Sequence, residues 1–187
     1  MTENHYYVAC LDLRSRDCLV VGGGRVATEK ARGLLDCGAA VTVIAPEIEA
    51  ELAALDVRIV RRGFTRSDVV GRFLVIAATS ERAVNAAVSE AAAGIATLCN
   101  VADDPELCSF ILPAIARQDP IVVAVSSGGA SPALAKRIRD DVARLIGPEH
   151  AALARELAAL RPRAKRTLPS YEARRDYFER LVAEALP

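Results

Sequence analysis

Tryptophan is absent from this sequence, methionine occurs once, and histidine only at His5 and His150. So few histidines exclude a multi-histidine metal centre within one chain. The cysteines Cys10, Cys18, Cys37, Cys99 and Cys108 are odd in number and widely separated. No pair has the spacing of a zinc knuckle or a redox motif, so buried, reduced thiols are expected and no metal ligand is assigned. Long apolar runs are missing too: none approaches the roughly 20 residues needed to cross a bilayer. The first five residues have neither a basic region nor an apolar signal core, so a cytoplasmic protein without membrane attachment is the expectation. Internal repeats and low-complexity segments are absent, which excludes solenoids and long disordered linkers.

Of the 187 residues, 52% are hydrophobic, enough for one good core with a small appendage. The net charge is zero but unevenly spread: residues 1–131 hold 12 basic and 16 acidic side chains, residues 132–187 hold 12 and 8. A basic tail suits an anionic partner or the acidic part of a second subunit, and a solvated helical surface is the plainer alternative. Acids interleave with the bases and no binding motif accompanies them, so nucleic acid is not an expected partner.

The stretch from Asp17 to Leu35 organises the chain. Cys18 to Val21 is a short apolar run of the kind that forms a buried strand. Gly22, Gly23 and Gly24 follow. Val26, Ala27, Lys30, Ala31, Leu34 and Leu35 then recur at helical spacing until Gly38 stops the helix. Strand, glycine turn and helix make the phosphate-binding corner of a dinucleotide fold. Gly22 permits the tight turn, Gly24 lets backbone approach a pyrophosphate, and Ala27 keeps helix and strand close. The helix N-terminus offers free N–H groups and partial positive charge to phosphates. One customary feature is missing: after the next strand the acid for the ribose hydroxyls would fall near Ala45, where the chain reads Ala45-Pro46-Glu47. Glu47 either reaches the ribose or only favours the start of the next helix, and the choice between NAD and NADP stays open.

Strands are expected at residues 6–13, 18–21, 41–44, 57–60, 74–77 and 97–101, and helices at about 25–36, 47–54, 66–71 and 81–93. This alternation implies a parallel sheet with right-handed crossovers, with ligands beyond the carboxyl ends of its strands. Gly22–Gly24, Ala45–Glu47, Ala78-Thr79-Ser80 and Asn100–Asp104 then share one rim. After residue 108 the pattern changes. Residues 109–116 and 120–125 read as a hairpin whose faces are too apolar to stand alone, and a second copy of the chain is the simplest cover. Helices follow over 132–146, over 149–160 with a stop near Pro162, and from Ser170 onward. The expected fold class is α/β, a Rossmann-like parallel sheet followed by a β-hairpin dimerisation segment and a small helical C-terminal domain. The expected divisions are 1–108, 109–146 and 147–187.

Two stretches carry chemistry. Asn100-Val-Ala-Asp-Asp-Pro105 closes the fifth strand beside the expected nicotinamide position, where Asp103 could accept a proton as a hydride leaves. The alternative is a loop whose Asx residues cap turns. Ser126-Ser127-Gly128-Gly129, before the N-cap Ser131 and Pro132, is either a second anion site or an ordinary glycine loop.

Several motifs now coincide in order: Cys18-Leu-Val-Val-Gly-Gly-Gly-Arg-Val-Ala, Ala77-Ala-Thr79, Cys99-Asn-Val-x-Asp103, Ser109-Phe-Ile-x-Pro113 and Val125-Ser-Ser-Gly-Gly-x-Ser-Pro132. Together they resemble the precorrin-2 dehydrogenase/sirohydrochlorin ferrochelatase family, the dehydrogenase–chelatase part of sirohaem synthase. The resemblance covers nearly the whole chain. It implies NAD-dependent oxidation of precorrin-2 to sirohydrochlorin, with Fe²⁺ as a substrate metal in members that also make sirohaem, and a homodimer interlocked through the middle segment. It places the catalytic role on Asp103, the cofactor on Gly22, Gly23, Gly24, Arg25, Val26, Pro46, Glu47 and Thr79, and the tetrapyrrole on Asn100, Ser127 and Gly128. No methyltransferase half is present, so the chain is either free-standing or one part of a fusion. The competing reading is a non-catalytic NAD(H)-sensing regulatory domain, which needs the glycine corner but not Asp103. A short-chain dehydrogenase is excluded because no tyrosine is followed four residues later by lysine.

Overall fold

Five short apolar runs pair into one parallel sheet in the computed structural model, which describes residues 6–186. They are β1 (Asp17–Val21), β2 (Ala40–Ile44), β3 (Arg58–Val60), β4 (Leu74–Ala77) and β5 (Leu98–Val101), in the order β3-β2-β1-β4-β5. The order reverses between β1 and β4, so a crevice opens beyond their carboxyl ends. Alternation along each strand divides the core. Cys18, Val20, Val41, Val43, Leu74 and Ile76 face Ala27, Ala31 and Leu34 of α1 (Arg25–Leu35). Leu19, Val21, Val75, Ala77 and Cys99 face Val88, Ala91 and Ala92 of α3 (Arg82–Ala93). Burial on both faces is why these strands read as continuous apolar runs.

The chain divides into two compact units, residues 1–112 and 113–187. The second unit contains the antiparallel pair β6 (Ala114–Gln118) and β7 (Ile121–Val125), then α4 (Pro132–Ala143), α5 (Pro148–Thr167) and α6 (Tyr171–Ala185). Both strands of the pair alternate half-buried and exposed residues, and Ile115, Val122, Leu134 and Ile138 remain exposed.

Four expectations are corrected. Residues 6–13 form no strand: Tyr7 is 95% and Val8 80% exposed, and only Leu13 is buried. Both edges of the adjoining β1 are already taken, by β2 and β4, so the segment finds no ladder there. Residues 109–113 precede β6, and 109–112 belong to the first unit. They are held there because Ser109 N donates to Cys99 O and Cys99 N to Ser109 Oγ, both at 2.8 Å. The helix expected over 47–54 shrinks to α2 (Ala50–Ala53), since residues 47–49 pack their backbone on the glycine turn. α5 continues through Pro162; a proline removes one N–H from the ladder, while Ala151 and Ala164 stay buried on either side of it.

Cys18 and Cys99 are buried thiols, and burial pushes each from an ordinary value of 9.0 up to about 11. Their protonated forms are favoured in the folded state, so the unfolded chain releases those protons first as pH climbs. The stability they contribute is complete below about pH 9 and is lost toward pH 11. The urea midpoint is expected to fall across that interval, and a Cys18→Ala/Cys99→Ala double variant is expected to show a shallower fall.

Candidate active site

β1 ends at Val21 and the chain turns through Gly22, Gly23 and Gly24 into α1. Gly22 has φ +132°, and a Cβ on it would meet the Ala78 carbonyl, 2.7 Å from its carbon. A Cβ on Gly23 would overlap the Glu47 carbonyl oxygen and come within 3.1 Å of Ala45 Cβ. Gly22 N donates to Ile44 O at 3.0 Å, and Glu49 N donates to Gly23 O at 2.9 Å. The turns after β1, β2 and β4 are therefore pressed together backbone on backbone. The same crowding explains the missing acid at position 45: Ala45 is 6% exposed and abuts the glycine turn, which leaves no room for a carboxylate. Pro46 and Glu47, one and two residues on, are exposed at the rim.

Gly24 differs from its two neighbours. Its φ and ψ of −95° and −168° are open to any residue, and a Cβ there would find its nearest neighbour, Glu49 Oε1, at 3.5 Å. It is the N-cap of α1 and, lacking a side chain, makes no side-chain cap bond. The N–H groups of the first turn, at Arg25, Val26 and Ala27, have no acceptor within the helix by geometry. That turn contains no acid, and Arg25 is exposed. The fold itself requires glycine at positions 22 and 23, whereas the open side at Gly24 lies at a positive helix end. These features fit a pyrophosphate approaching the backbone, as a dinucleotide requires.

Thr79, after β4, closes this corner from the other side. Its N–H and hydroxyl reach Asn85 Oδ1 at 3.2 and 2.8 Å, its carbonyl accepts from Asn85 Nδ2 at 3.0 Å, and its hydroxyl accepts from Glu81 N at 3.1 Å. Thr79 thus shapes the turn with its own polar groups. Asn85, 7% exposed on α3, belongs to none of the sequence motifs. The signal that could have found it is a polar residue on the buried face that also carries Val88 and Ala92.

Asp103 stands two residues beyond β5. Adjacent strands lie about 4.8 Å apart, so the ends of β1 and β5, which flank β4, are separated by about 10 Å. The loop is fixed on both sides of Asp103. Ala102 N donates to Ala77 O at 2.9 Å, and Asp104 pairs with Arg82 at 3.2 Å. The Cys108 thiol, which burial keeps protonated, accepts from Val101 N at 3.1 Å and lies 3.3 Å from both Val101 O and Asp104 O. Between these anchors Asp103 adopts a left-handed backbone, φ +60°, and is exposed. Its carboxylate makes no hydrogen bond or ion pair among the described residues.

Asn100 is placed otherwise than expected. It is 7% exposed in β5, and its Nδ2 donates inward to Phe110 O at 3.0 Å, bracing the segment that follows the loop. Ser127 and Gly128 lie in the second unit. Ser127 Oγ accepts from Ser131 N at 2.9 Å and lies 3.0 Å from Ser131 O, closing the loop before α4, while Gly128 and Gly129 adopt φ of +64° and +90° with open space around both. Ser131 caps α4 by accepting from Leu134 N. Among the described residues no group of three His, Cys, Asp or Glu side chains could hold a metal ion. No helix among them is long and apolar enough to cross a membrane.

Sheet order, glycine cradle and helix end define the first unit as a dinucleotide-binding α/β domain, and comparison with known proteins agrees. Residues 9–114 match the family model for putative NAD(P)-binding domains, 118–145 that of the sirohaem biosynthesis protein central region, and 149–187 that of the sirohaem synthase dimerisation region. The sirohaem synthase of Methylococcus capsulatus is 46% identical over 95% of the chain, and that of Nitrosomonas eutropha 41% identical over 95%. The chain spans 38% of the length of either relative. A solved structure of SirC, a precorrin-2 dehydrogenase, superposes with a TM-score of 0.78 at 30% identity, covering 95% of this chain and 89% of that one. The chain belongs to the precorrin-2 dehydrogenase family, which includes the corresponding part of sirohaem synthase.

The glycines can be separated experimentally. Gly23→Ala is expected to destabilise the fold by about 1–3 kcal/mol, the usual effect of overpacking. Gly24→Asp should move the thermal midpoint little, because the gain of a good N-cap is offset by repulsion from the neighbouring Glu49 carboxylate. The same variant should lower NAD affinity at least tenfold, measured by calorimetric titration.

Proposed function

We propose that this chain oxidises precorrin-2 to sirohydrochlorin with NAD⁺ and that Asp103 is the proton acceptor. The observation that carries the reading is Asp103 itself: an exposed, unpaired carboxylate held in a left-handed backbone between fixed neighbours, about two strand spacings from the glycine cradle. Bound at that cradle, NAD⁺ supplies the hydride acceptor. The chain's own part is to place the macrocycle and to take the proton that leaves with the hydride. An unpaired carboxylate is free to do the second. Gly24 and the first turn of α1, with Arg25 and Val26, would hold the pyrophosphate. Pro46 and Glu47 stand where the adenosine ribose would lie, and the Thr79 turn forms the opposite wall. Ser127 and Gly128 are assigned to the tetrapyrrole's carboxylates; exposed Arg163, Lys165 and Arg166 would draw that anionic substrate toward the protein. Asp103 would serve Fe²⁺ insertion in the same way, by taking pyrrole N–H protons, with Fe²⁺ as substrate and not as a resident metal.

The dimerisation region matched over 149–187 supports a homodimer built from the second unit. Exposed Ile115, Val122, Leu134 and Ile138 there supply apolar surface for a partner copy. Sedimentation is expected to give twice the 19.9 kDa chain mass, and a monomer across micromolar concentrations would remove this assignment.

Asp103→Asn is expected to keep the NAD dissociation constant and to lower the rate of precorrin-2 oxidation by about 10²- to 10⁴-fold, the range typical of a lost general base. Absorbance of the macrocycle during turnover gives the rate, and Fe²⁺ added afterwards tests the second step. Wild-type turnover in the variant would assign proton removal to another group.

A further inference from the structure

Asn85 lies behind the rim on α3, and its side chain binds the rim residue Thr79. Its amide makes three bonds to one residue. Oδ1 accepts from Thr79 N and Thr79 Oγ1 at 3.2 and 2.8 Å, and Nδ2 donates to Thr79 O at 3.0 Å. The side chain is 7% exposed, so water is poorly placed to replace it. The residue before Thr79 is the one pressed on the glycine turn: a Cβ on Gly22 would meet Ala78 O, and would lie 3.3 Å from Thr79 N. The Ala78–Thr79 peptide is therefore gripped between the Gly22 α-carbon on one side and the Asn85 amide on the other. β4 feeds the turn from below through Ala78 N, which donates to Val21 O at 2.8 Å. The remaining polar links, Glu81 N to Thr79 Oγ1 and Thr79 Oγ1 to Glu81 O, both at 3.1 Å, are local to the turn.

We propose that Asn85 is a positioning residue for the dinucleotide. By binding both the N–H and the C=O of Thr79, it fixes the gap between the β4–α3 turn and the glycine turn. The cofactor then meets a preformed wall and need not order one. The inference rests on the reading of the first unit as a dinucleotide site, and it adds a residue on α3 that makes no contact with the ligand. Removing the amide should leave the sheet and α3 in place. The freed turn would then be ordered only at the cost of binding energy.

The test is NAD titration of the 187-residue chain by calorimetry, for wild type, Asn85→Ala and Thr42→Val. The last variant is the structural control. Thr42 is 5% exposed in the middle of β2, where its hydroxyl accepts from Arg72 Nη1 at 3.1 Å, and it belongs to no loop of the rim. Asn85→Ala is expected to weaken NAD binding about tenfold or more and to raise KM for NAD, with kcat at saturating NAD reduced less than twofold. Thr42→Val is expected to lower the thermal midpoint without moving NAD affinity. Equal NAD affinity in Asn85→Ala and wild type would overturn the proposal. So would a loss in Thr42→Val as large as that in Asn85→Ala, because the effect would then be general loosening. A wild-type chain that binds no NAD would instead sink the dinucleotide reading on which the proposal stands. If Asn85→Ala does not fold, Asn85→Ser, too short to span both Thr79 groups, replaces it with the same expected loss.

Discussion

Two α-carbons without side chains hold the site together. At Gly22 and Gly23 the backbone lies so close to the Ala78 and Glu47 carbonyls that even a methyl group would intrude. A parallel sheet delivers its loops to one rim in any case. It does not make them touch. Side chains ordinarily keep neighbouring loops several ångströms apart, and a gap of that size would be filled by solvent. Removing two Cβ atoms lets the turns after β1, β2 and β4 form a single wall made of backbone. The third glycine is then free for a different purpose, since nothing in the fold presses on it except one flexible carboxylate. Three adjacent glycines thus have two distinct physical causes, one internal and one directed outward.

The same contact accounts for what the sequence displayed and what it concealed. Strand, turn and helix around Gly22 were legible because each is a local signal: an apolar run, φ freedom, helical spacing. The parallel order was legible from alternation alone. The absent acid at position 45 was legible only as a gap in the pattern. Its cause is a contact between Ala45 and Gly23, two residues that are distant in sequence. Asn85 and Cys108 were concealed for the same reason. Each matters through bonds to a loop six or seven residues away, and neither residue type announces such a role. Asn100 misled in the opposite direction. Its place at a strand end put it with the rim residues, but the chain doubles back through Ser109 and Phe110, and its amide donates to Phe110 O. Residues 6–13 had strand composition without a strand partner, because the β1 edges were taken. Composition describes what a segment prefers; pairing depends on what is left to pair with.

The adjacent carboxylates at 103 and 104 show how one loop separates two roles. Asp104 is turned toward α3, where Arg82 pairs with it and its carbonyl lies within reach of the Cys108 thiol. Asp103 has no such partner, and its left-handed backbone explains why. For a non-glycine residue that conformation is uncommon, though aspartate tolerates it better than most. Here it is imposed by anchors on both sides: Ala102 on β4, then Asp104 and Cys108. The reversal sends the two side chains of consecutive residues to different environments, one satisfied and one open to solvent. Substituting the anchors would release the backbone and let Asp103 find a partner of its own. The loop therefore supplies more than an acid at the right strand end. It keeps that acid unsatisfied, the condition under which a carboxylate can take a proton from a substrate.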